Sequence, residues 1–222
     1  MRTPLFFTLR QLKPSMHRRG AVLRQFADTL GLAYLGRMDQ HDDEYDAIRG
    51  FTASTSHRDA HYAVGAYDGQ DIRIVDRFDI QKTHGKTRTP QSWVVLELPL
   101  SVRDMPHTFF IPTGKTAHAY ERVFSTNIQM QPLNGLIHQK YSSALHEKYQ
   151  ILSKPTHAGR IEAYLTPPVI FGISEKLWPY GLELNDDRLY VYVSKHSITT
   201  DDISAALLAG MWLVGEIHGL AE

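Results

Sequence analysis

The chain contains no cysteine among its 222 residues. That absence excludes a disulfide framework, thiol catalysis and cysteine-ligated zinc, and it fits a cytoplasmic chain. An excess of either charge is also missing, since Lys plus Arg and Asp plus Glu are both 24. No global field therefore draws nucleic acid or an anionic membrane to the protein, and nucleic acid is not an expected partner. No apolar run reaches the roughly 18 residues of a membrane span. Neither a Gly-x-Ser-x-Gly elbow nor a dinucleotide glycine fingerprint occurs, which removes the simplest hydrolase and oxidoreductase readings. Gly85-Lys86-Thr87 and Gly114-Lys115-Thr116 imitate the end of a phosphate-binding loop. Both lack the earlier glycine that lets such a loop wrap phosphate, because Ile80 and Phe109 stand there.

What is present is ordinary globular composition, 42% hydrophobic and 22% charged, enough to bury a sizeable core. The strongest local signal is Asp68-Gly69, a pair that accepts the positive φ angles of a type I′ hairpin turn. Alternating runs flank it, from His61 to Tyr67 and from Gln70 to Ile80. With a two-residue loop, Tyr67 faces Gln70, Gly65 faces Ile72, Ala63 faces Ile74 and His61 faces Asp76. Period-two alternation then sets Ile72, Ile74, Phe78 and Ile80 on one side, with Asp76 the odd residue in that apolar row. A third strand, Trp93–Leu98, is apolar on both faces, as a central or helix-covered strand is.

The remaining elements read as cover for this meander. Ser15 can cap a helix running to about Gly31, with Val22, Phe26 and Leu30 on one face. Ala33–Arg37, His107–Ile111 and Lys148–Leu152 read as further strands. Thr156 caps a short helix to Leu165, and Thr166-Pro167 starts another whose inner face is Ile170, Ile173 and Leu177. Asn185-Asp186-Asp187 turns a second hairpin, Leu182–Leu184 with Arg188–Val193. Thr199 or Thr200 caps a final helix in which Ile203, Leu207, Met211, Val214 and Ile217 recur at helical spacing. The expected architecture is α+β: an antiparallel meander sheet with an N-terminal helix and a long C-terminal helix packed on it. Residues 1–15 form a basic leader and 16–222 a single domain. The first 27 residues carry Arg2, Arg10, Lys13, Arg18, Arg19 and Arg24 with no acid. Pro4 and Pro14 limit any helix there, and the expectation is a leader that packs on the domain or frays, with contact to a membrane surface the alternative.

Two clusters are candidates for chemistry. In the continued hairpin register His57, Asp59 and His61 share one strand face, with Asp76 opposite His61. Two imidazoles and two carboxylates together make a plausible set for a divalent metal that would activate water. The alternative is structural: His61 and Asp76 a buried hydrogen-bonded pair, His57 and Asp59 loop residues. Lys82, His84, Lys86 and Arg88 form a basic hairpin tip that reads first as a solvated hairpin and alternatively as a phosphate or anion site, without the aromatics that base stacking needs. The acidic run from His41 to Asp46 lacks the glycine and distal glutamate of a calcium loop and reads as solvated.

The stretches GAYDGQDIRIVDRFDI, GKTRTPQSWVVLELP, YQILSKP and NDDRLYVYVS, with the apolar helix after them, resemble a family of bacterial proteins of unknown function. Members of that family are often membrane-anchored, and the resemblance spans roughly residues 60–220. It implies a cytosolic α+β domain and supplies no catalytic residue. The leading expectation is a non-enzymatic binding or scaffold domain without a cofactor, engaging a protein partner or a membrane surface. A metal-dependent hydrolase using the His/Asp cluster is the alternative.

Overall fold

A computed structural model describes residues 6–36, 58–82, 88–114, 130–133, 143–195 and 197–220. Helix α1 (Phe6–Leu30) opens the fold and strand β1 (Ala33–Gly36) follows it. The meander is β2 (Arg58–Tyr67), β3 (Gln70–Lys82) and β4 (Arg88–Pro99). Then come β5 (Met105–Pro112), β6 (Gln131–Pro132), α2 (Ser143–Lys148) and β7 (Tyr149–Ser153). A short 3-10 turn leads into α3 (Ala158–Tyr164), and α4 (Pro167–Gly172) runs on into a π-helical turn, Ile173–Leu177. The chain closes on the hairpin β8 (Gly181–Asp186) and β9 (Arg188–Val193) and on helix α5 (Thr200–Gly219).

Among the described residues nine strands make one sheet in the order β1-β2-β3-β4-β9-β8-β5-β7-β6, and every pairing is antiparallel. Asp68 and Gly69 take φ of +50° and +74°, as a type I′ turn requires, and Tyr67 pairs with Gln70. After β4 the next strand in sequence is not its neighbour. The β8–β9 hairpin is inserted there, so β4 lies between β3 and β9. This inner position is why β4 is apolar on both faces.

Helices cover one face. Leu23, Phe26 and Ala27 of α1, with Ile203, Leu207, Leu213 and Val214 of α5, close over Ile72, Ile74, Val94, Leu96 and Val191. Helix α5 carries the capping box its sequence implies: Thr199 accepts from the Asp202 amide, and Asp202 accepts from the Thr199 amide. Gly210 lets this helix lie close to the sheet, since a Cβ there would come within 2.6 Å of Leu98 Cδ1. The second face holds a separate apolar cluster built from Tyr62, Val75, Trp93, Val95, Phe109, Ile111, Tyr190 and Tyr192.

Strand ends shift by a few residues from expectation, and two helix starts also differ. Helix α1 begins at Phe6 rather than Ser15, so ten residues of the expected basic leader are helical. Pro14 lies inside it; a proline keeps a helical φ and removes one N–H, which lowers helical stability without dictating a stop. The 3-10 turn Pro155–His157 precedes α3, and Thr156 does not cap it. Among the described residues, no helix is long and apolar enough to cross a membrane.

Candidate functional site

The expected metal cluster depends on the register of β2, and a β-bulge changes that register. Ala63 pairs with Ile74 as the turn dictates, but Ala60, not His61, pairs with Asp76. The extra residue is accommodated at His61, whose φ of +54° is left-handed, an uncommon conformation for a side-chain-bearing residue. A one-residue slip exchanges the faces of everything beyond it. Asp59 therefore pairs across the strands with Arg77, the neighbour of Asp76, and the two carboxylates leave the sheet on opposite faces. The single-face arrangement of Asp59, His61 and Asp76 is thereby corrected. His57 lies outside the described residues. Among those described, no three or more His, Asp or Glu side chains are grouped to hold a metal ion.

On the helix-covered face Asp76 meets Arg19 of α1. The Arg19 Nε lies 3.0 Å from both carboxylate oxygens, and Nη2 donates to Oδ1 at 2.6 Å. Its Nη1 donates to the Lys195 carbonyl at 2.6 Å. Asp76 is 0% exposed and Arg19 2%. Burial pushes the Asp76 carboxyl up, against the hydrogen bonds and charge of Arg19, which pull it down. The His61 ring sits over Gly20, where a Cβ would fall 2.3 Å from Cε1. Its Nδ1 is 2.8 Å from the Tyr34 hydroxyl, and the Arg24 guanidinium lies 5.1 Å from the Tyr34 ring centre. The cluster thus joins α1 to β1, β2 and β3, and its ionic pair closes α1 against the chain leaving β9.

The opposite face carries a second polar array that sequence reasoning missed. Leu96-Glu97-Leu98 in β4 and Leu182-Glu183-Leu184 in β8 each set their leucines under the helices and their glutamate on the other side. The register aligns them in one cross-strand row, Glu97 to Tyr190 to Glu183. Glu183 Oε1 is 2.7 Å from His107 Nε2, and Oε2 accepts from the Tyr192 hydroxyl. Glu97 Oε1 lies 3.3 Å from Arg73 and 3.7 Å from Arg188. Arg77 holds Asp59 through two bonds of 2.7 Å. Burial, reinforced by Glu97 and Glu183, raises the Tyr190 hydroxyl, and burial with Glu183 raises Tyr192 well above its ordinary value. The Trp93 indole N–H, buried across from Arg77, donates to nothing among the described residues. The sequence signal was an acid between two leucines, Leu96-Glu97-Leu98 and Leu182-Glu183-Leu184, since a charge is buried in such a setting only with a partner.

The basic tip is described at its base alone. Lys82 and Arg88 are register partners where β3 and β4 part, while His84 and Lys86 lie outside the described residues, as does the acidic run.

The described residues define an α+β fold with a nine-stranded antiparallel sheet and both long helices on one face. No protein-family model matches the chain, and no curated protein matches it by sequence. The fold is similar to the crystal structure of the mycobacterial trehalose monomycolate transport factor A, TtfA. The likeness has a TM-score of 0.54 at 10% identity and covers 90% of this chain and 93% of that one. At that identity the likeness is one of fold.

Proposed function

We propose that the protein is a non-enzymatic binding or scaffold domain that serves a transport process by engaging a protein partner or a membrane surface. The observation that carries this reading is the disposition of the sheet's acids. Asp76, Glu97 and Glu183, the acids buried among the described residues, are each held by another side chain of the fold. Such fully engaged charges hold elements together, whereas a catalytic acid or base must reach a substrate. Similarity to a transport factor and resemblance to membrane-anchored bacterial proteins support the same reading. The membrane side of the proposal falls on the basic residues of the N-terminal segment, Arg2, Arg10, Lys13 and Arg18.

The test is twofold. The purified protein is screened against ester and phosphate substrates with and without zinc, manganese and iron, beside folded His61→Ala and Asp76→Asn variants. No turnover above buffer is expected. Metal-dependent turnover lost in those variants would overturn the proposal in favour of a hydrolase. Sedimentation with anionic vesicles then compares the intact chain with one whose four basic residues are changed to glutamine. Loss of co-sedimentation assigns the membrane contact to that segment; unchanged sedimentation removes it.

A further inference from the structure

We draw no further inference here: the strongest candidate, the exposed apolar arc of α5 around Leu208, carries none, because nothing in the structure shows what covers it.

Discussion

Arg19 and Asp76, 57 positions apart, form a buried ion pair in which one guanidinium contacts both oxygens of one carboxylate. The pair ties α1 to the middle of β3 on a face otherwise filled by isoleucine, valine and leucine. Removing either partner leaves a charge without compensation in an apolar layer.

Arg19→Ala or Asp76→Ala should each lower stability by about 3–5 kcal/mol in urea denaturation. The double replacement Arg19→Met with Asp76→Leu should recover most of that loss, because no charge is then stranded. A loss below about 1 kcal/mol for the single variants would show that water reaches the pair.

Gly20 and His61 form a second coupled contact between the same elements. Alanine is the better helix former by about 1 kcal/mol, yet Gly20→Ala would drive a Cβ to 2.3 Å from the imidazole. The expected result is a net loss of about 1–3 kcal/mol. In the His61→Ala background the same change should be neutral or stabilising. A double-mutant cycle with no coupling between the two would contradict the contact.

The acid limb of stability should carry a signature from Asp202. Burial alone would raise its carboxyl, but hydrogen bonds with Lys195 and Thr199 outweigh that and lower it below 3.8. A depressed folded value means the contribution is fully present above the unfolded value, near 4, and is lost as pH falls through the folded one. Asp202→Ala should cost about 1 kcal/mol at neutral pH through loss of the reciprocal half of the capping box and of the Lys195 pair. The difference from wild type should shrink steadily in acid below pH 4.

The alkaline limb belongs to Tyr190 and Tyr192, whose hydroxyls burial and nearby glutamates raise above 10.0. Held neutral in the fold and free to ionise when unfolded, they contribute stability that is present below pH 10 and lost as pH rises towards the folded values. Phenolate absorbance should therefore show these two tyrosines silent until the protein unfolds. Tyr192→Phe removes one donor from buried Glu183 and should cost about 1–3 kcal/mol.

Much of the architecture was legible because it rests on local chemistry. Asp68-Gly69 fixes its own turn and, through it, the pairing from Tyr67 as far as Ala63. The register fails at His61, where the cause is tertiary: the ring is seated on Gly20 and bonded to Tyr34, residues no strand pattern connects to it. Asp76 stood out as the misfit of an apolar row, but its partner could not be read across 57 intervening positions. The buried glutamates are legible in principle, since Glu97 sits in the stretch Trp93–Leu98, whose other residues are all apolar. The place of the C-terminal hairpin was hidden for a different reason. Alternation reports which faces of a strand are buried and says nothing about its neighbours.

That hairpin ties the order of synthesis to the order of assembly. The strands made early, β4 and β5, are each completed by strands made late, β9 and β8. A nascent chain that has emerged only through residue 153 presents both as open edges, able to pair with other chains. Closing the sheet requires contacts of long sequence separation, which are slow to form. The central seam of the molecule is therefore its last to close, and folding awaits synthesis of β8 and β9.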